Sequence, residues 1–82
     1  MINILLNGCN GKMGQVISDM LADNPNIHIT AGIDTNPDKF SNYYKTYNDI
    51  DAVKEKADLL LDFSHADGIN KVTQYCVDNG IA

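Results

Sequence analysis

Three glycines at a fixed interval, in Gly8-Cys9-Asn10-Gly11-Lys12-Met13-Gly14, are the residues whose types and spacing most directly imply chemistry. A chain that leaves a strand through glycine and at once starts a helix aims free backbone N–H groups at one point, and such a cluster holds a pyrophosphate without a basic surface. Gly8 would allow the sharp turn, Gly11 the approach of backbone to phosphate, and Gly14 close packing of helix on strand. Gly8, Asn10, Gly11, Lys12, Met13 and Gly14 are therefore the expected pyrophosphate site. The interval is Gly-x-x-Gly-x-x-Gly, with the first glycine one residue earlier than in the commoner fingerprint, so the motif alone is weak. It gains weight from Asp34, which follows Gly14 by twenty residues. There, at the end of the second strand of such a fold, a carboxylate accepts hydrogen bonds from the adenosine ribose. The competing explanation is a bare glycine turn with a solvated Asp34, and the strand–loop–helix context argues against it. Asp34 would repel a 2′-phosphate, which favours NADH; Lys12 or Lys39 would offset that repulsion and admit NADPH, unless each is merely a solvated charge.

These groups need elements to position them. Ile2 to Asn7 is an aliphatic run that stops at Gly8, as a buried strand does. Met13, Val16, Ile17, Met20 and Leu21 then recur with helical spacing and predict one buried helix face, closed by Asn24-Pro25-Asn26. Ile27, Ile29, Ala31 and Ile33 alternate as in a second strand that ends at Asp34. Residues 35–48 carry Asn36-Pro37-Asp38 and three tyrosines and predict a long loop. Asp49 is placed to cap a short helix with Ile50, Val53 and Ala57 inward, and 58–63 has the unbroken apolar centre of a third strand. Ser64 or Asp67 would start a second long helix with Ile69, Val72, Thr73 and Cys76 inward and Asn79-Gly80 at its end, leaving Ile81-Ala82 as an unfinished fourth strand.

Strands alternating with helices predict an α/β, Rossmann-type parallel sheet with helices on both faces, strand order 3-2-1-4, cut off at the start of the fourth strand. Residues 1–82 would then be a partial N-terminal NAD(P)-binding domain, with any substrate domain lying outside the chain. Six basic against eleven acidic residues, a net charge of −5 and no basic stripe speak against nucleic acid. No apolar run approaches the roughly 18 residues of a membrane span, and no basic leader precedes the first strand. Two cysteines without Cys-x-x-Cys spacing suit reduced thiols in a cytoplasm rather than a disulfide framework or a zinc site. Cys9 lies near a helix N-terminus, yet no base is spaced to use it, so it is expected to be structural.

Two segments together, Gly8-Cys9-Asn10-Gly11-Lys12-Met13-Gly14 and Leu61-Asp62-Phe63-Ser64-His65, resemble the dihydrodipicolinate reductase family. Its glycine loop has the form Gly-x-x-Gly-x-Met-Gly, and its Asp-Phe-Ser or Asp-Phe-Thr segment is often followed, one residue on, by a proline, where this chain has Ala66. The resemblance implies that Gly11, Lys12 and Met13 line the pyrophosphate, that Asp34 holds the adenosine ribose, and that Phe63 and Ser64, with His65, border the nicotinamide. It further implies a cytoplasmic, homo-oligomeric reductase of lysine (diaminopimelate) biosynthesis, transferring a hydride from NADH or NADPH to the cyclic precursor of tetrahydrodipicolinate. The family's substrate residues, a His-His pair, a nearby lysine and a Gly-Thr-Thr-Gly loop, would lie in later sequence, so no catalytic residue and no metal ligand is expected here. Two alternatives stay open: a non-catalytic nucleotide- or CoA-binding sensor, and another NAD(P)-dependent dehydrogenase. Asp34 opposes CoA, whose ribose carries a 3′-phosphate.

Overall fold

The computed structural model describes residues 1–64 and 69–82. Along the chain run β1 (Ile2–Asn7), α1 (Lys12–Leu21), β2 (Ile27–Ile33), β3 (Lys45–Tyr47), a single 3-10 turn η1 (Ile50–Ala52), β4 (Leu59–Asp62) and α2 (Ile69–Asn79). The sheet is parallel throughout, in the order β3-β2-β1-β4. No helix among the described residues is long and apolar enough to cross a membrane.

β1 sits in the middle because its alternating side chains feed two cores. Ile4 and Leu6 join Cys9, Ile29 and Tyr44 on the face covered by Ile17 and Leu21 of α1. Leu5 joins Ala31, Ile33, Ile50 and Val72 on the face covered by η1 and α2, where Tyr75 and Cys76 also pack. Leu5 and Leu6 are fully buried, each worth about 1.5–3 kcal/mol of apolar burial. With α1 on one face and α2 on the other, the expected two-sided α/β architecture holds.

Several details differ from the sequence expectation. The expected order 3-2-1-4 placed residues 58–63 beside the second strand; instead Leu59–Asp62 pairs with β1, and the neighbour of β2 is Lys45–Tyr47, inside the segment expected to be loop. Three residues without an apolar run leave no periodic signal, whereas pairing with Ala31, Gly32 and Ile33 of β2 satisfies their backbone. Consequently Ile81-Ala82 is not the fourth strand: Ala82 exchanges backbone hydrogen bonds with Asp58 and Leu60 at the far edge of β4. The β1–β2 register shifts between Ile4 and Leu5, so the even alternation of β2 is broken: Ile27 and Ile29 serve one core, Ala31 and Ile33 the other.

The apolar stripe of α1 is also turned. Met13, Val16 and Met20 are 52%, 47% and 69% exposed, while Gly14 and Ser18 are the buried helix residues. The short side chains let α1 lie close on the glycine loop, and the Ser18 hydroxyl is spent on the Gly14 carbonyl (2.9 Å) and the Tyr44 hydroxyl (2.6 Å). In α2, Val72 and Cys76 face inward as expected, but Thr73 is exposed and Tyr75 packs instead. The helix stops at Gly80, whose φ of 65° permits Ile81 N–H to bond back to the Cys76 carbonyl. The helix expected after Asp49 is one 3-10 turn; Asp49 caps it by accepting from Asp51 N–H, and Ile50 is buried.

Candidate functional site

The carboxyl ends of β1, β2 and β4 converge on one cleft of about 570 Å³, lined by Gly8, Asn10, Gly11, Asp34, Phe63 and Ser64 among others. β1 is the strand at which connections part to opposite faces, and in open parallel sheets ligands bind at that switch point. The volume lies within the range of roughly 300–1,000 Å³ usual for small-molecule and cofactor sites.

Gly8 makes the turn possible. Its φ is 81°, and a Cβ there would come within 2.8 Å of the Phe63 carbonyl carbon, so the glycine loop lies directly on the end of β4. Gly8 and Cys9 N–H groups both donate to the Ile33 carbonyl, tying the same loop to β2. α1 then begins at Lys12 with Gly11 as its N-cap, without a side-chain cap and without an acidic residue in its first turn. The first N–H groups of a helix lack intrahelical partners, and no side chain among the described residues claims them, which suits an anion.

Asp34 occupies the β2 side. One carboxylate oxygen accepts from Asn10 N–H (3.0 Å) and the other from Asn36 N–H (2.9 Å). The acid thus shapes the glycine loop as well as facing the cleft. Asn10 is buried and its side chain is committed to the protein: it donates to the Asn36 carbonyl (2.7 Å) and accepts from Asn42 (2.8 Å) and Gln15 (3.4 Å). Cys9, also buried, has its thiol pushed up to about 11 by burial first and by the Asp34 charge second. A thiol so held stays protonated, which agrees with a structural role.

Of the expected loop residues, Gly8, Asn10 and Gly11 line the cleft, and Lys12, Met13 and Gly14 do not. Lys12 and Met13 are exposed on the first turn of α1, and Gly14 is packed against the Gly8 and Cys9 carbonyls. Phe63 is 43% exposed at the cleft, which excludes a purely core role for it. Ser64 lies beside it, and His65 falls outside the described residues. Lys39, weighed from the sequence as a cation that could offset a 2′-phosphate or as a solvated charge, lines the cleft with Asp34. Sequence reasoning missed the opposite wall, Asn48, Asp49, Ile50, Lys71 and Val72, because those positions meet only through folding. In that wall Lys71 Nζ pairs with Asp49 (2.8 Å) and Asp51 (3.4 Å). The lysine holds the Asp49 carboxyl below its ordinary range, and Asp49 holds Lys71 above its own.

Residues 2–82 match the family described as dihydrodipicolinate reductase, N-terminus. The 4-hydroxy-tetrahydrodipicolinate reductase of Caldanaerobacter subterraneus subsp. tengcongensis is 41% identical over 69 residues, covering 84% of this chain and 27% of the relative. That of Clostridium novyi is 36% identical over 81 residues, covering 99% of this chain and 32% of the relative. The solved structure of a dipicolinate-bound dihydrodipicolinate reductase from Paenisporosarcina sp. TG-14 has the same fold, with a TM-score of 0.82 at 24% identity over 99% of this chain and 35% of that one. This chain therefore spans about a third or less of the lengths of these relatives, and over that span it belongs to the dihydrodipicolinate reductase N-terminal family.

Proposed function

We propose that this chain is the NAD(P)H-binding part of a 4-hydroxy-tetrahydrodipicolinate reductase. The observation that carries the proposal is the convergence, in one cleft, of an uncapped helix N-terminus, the Gly8–Gly11 turn and the Asp34 carboxylate. The pyrophosphate would rest on the backbone at Gly11, Lys12 and Met13, at the start of α1. The adenosine ribose would bond to Asp34, and Phe63 and Ser64, with His65, would border the nicotinamide. Asn10 would act from behind, holding the loop through its buried amide, and Gly14 by letting α1 close on it. A reduced nicotinamide supplies the hydride in such reactions; this chain's residues bind and orient its carrier. Substrate binding and catalysis would reside in further residues of the kind the longer relatives possess, in an oligomeric, cytoplasmic enzyme of lysine and diaminopimelate biosynthesis.

Asp34 favours NADH, since a 2′-phosphate would meet its charge, and Lys39, which lines the same cleft, is the group that would make NADPH tolerable. Lys12, outside the cleft lining, is the weaker candidate for that task. Calorimetric titration of the chain with NADH and NADPH, in the wild type and in Asp34→Ala, tests both points. NADH should bind, and the substitution should weaken it about tenfold or more, the scale of a lost hydrogen bond to a charged group. A folded chain that binds neither nucleotide sinks the proposal. An Asp34→Ala chain that binds NADH unchanged removes Asp34 from the site.

A further inference from the structure

Asn7 is the last residue of the central strand and is only 8% exposed. The strand residues before it, Leu5 and Leu6, are fully buried aliphatics. A buried amide is costly unless its polar atoms are bonded, and both of its described bonds run in one direction. Nδ2 donates to Asp62 Oδ1 (3.3 Å) and to Ser64 Oγ (3.3 Å). The same Asp62 oxygen also accepts from Ser64 N–H (2.9 Å) and from Ser64 Oγ (2.6 Å), and Phe63 N–H donates to the Asn7 carbonyl (2.9 Å). Asn7 is thus the partner, from the strand opposite in register, of the whole turn that carries Phe63 and Ser64. Asn7, Phe63 and Ser64 all line the cleft.

We propose that Asn7 is a positioning residue for the nicotinamide half of the cofactor: its amide anchors Asp62, which holds the Phe63–Ser64 wall in place. The role rests on the dinucleotide reading. Its particular content is that Asn7 acts on the β4 side of β1 alone, whereas the pyrophosphate and adenosine are held by Gly11 and Asp34 on the other side. An aromatic wall favours a planar ring only while its backbone is fixed, and a wall set loose loses that selectivity without disturbing the phosphates.

The test compares NADH with ADP-ribose, which has the same adenosine and phosphates but no nicotinamide, by calorimetry on the chain. Asn7→Ala removes the donor. Asn7→Asp keeps the shape but sets an oxygen against the Asp62 carboxylate. Both should weaken NADH about tenfold and ADP-ribose by less than about twofold. Equal losses for the two ligands, or no loss for either, overturn the proposal. Should the Asn7 variants lose their helical circular dichroism, Ser64→Ala decides the matter, because it removes one limb of the network at an exposed position. It should shift the NADH to ADP-ribose ratio in the same direction, and an unchanged ratio overturns the proposal. Wild-type chain that binds neither ligand refutes the dinucleotide reading first; wild type that binds both while the ratio never moves refutes only the role of Asn7.

Discussion

The two walls of the cleft are held in opposite ways. On the glycine-loop side the polar groups are buried and matched: Asn10 to Asn36, Asn42 and Gln15, and Ser18 to Gly14 and Tyr44. On the other side, a pair of exposed carboxylates and one exposed lysine join η1 to α2. Buried hydrogen bonds leave a desolvated group stranded when one partner is removed, so such a network resists change; exposed ion pairs are screened and lose little. The wall expected to hold phosphate and ribose is therefore built in advance, and the facing wall has more freedom to adjust to what enters.

Gly14→Ala should produce the largest effect. A Cβ there would overlap the Gly8 and Cys9 carbonyl oxygens, which are backbone and have nowhere to go. We expect a loss of about 3 kcal/mol or more in urea denaturation, at the upper end of overpacking costs, together with loss of NADH binding. A variant with the wild-type midpoint would mean that the glycine-loop wall yields easily and would erase the contrast between the walls.

Tyr44→Phe probes the same wall more gently. The buried Tyr44 hydroxyl meets Ser18, which keeps its second bond to the Gly14 carbonyl, so the expected cost is about 1–2 kcal/mol by denaturation. The pH dependence sharpens the test. Burial pushes the Tyr44 hydroxyl up from 10.0 to about 12. Between those values the unfolded chain has released the proton and the folded chain still holds it, so the unfolded state binds fewer protons and stability falls as pH rises. The wild type should weaken over that interval, and Tyr44→Phe should lose that part of the slope. Cys9, raised from 9.0 to about 11 for the same reason, contributes the earlier part of the alkaline decline in both chains.

The glycine loop, Asp34, β1 and the apolar run of β4 were legible because their signals are local: a motif, a run, a spacing. What was not legible depends on partners far along the chain. Tyr44 could not be assigned to the core from a polar, tyrosine-rich stretch, yet it lies against Gly32 and Cys9, where a Cβ at Gly32 would meet its ring at 2.5 Å. The helical stripe Met13, Val16, Met20 points to a buried face by hydropathy, but close approach of backbone selects the small face of Gly14 and Ser18. Lys71 has no sequence signature; what sets it apart is the cleft it shares with Lys39.

The facing wall should give the smallest effect. Lys71→Ala breaks the pairs with Asp49 and Asp51, all of which are largely solvated, so the denaturation midpoint should move less than in Tyr44→Phe. The change should vanish in salt of about 0.5 M, where the Debye length is only a few ångströms. On the acid side its pH behaviour runs opposite to that of Tyr44. Asp49 is held below its ordinary range by the lysine, so whatever the pair contributes is present above the ordinary carboxylate pKa and disappears as pH falls through the lowered value. The wild type and Lys71→Ala should therefore converge in acid as well as in salt. A Lys71→Ala chain as unstable as Gly14→Ala, or one insensitive to salt, would show that the facing wall is as rigidly built as the glycine loop.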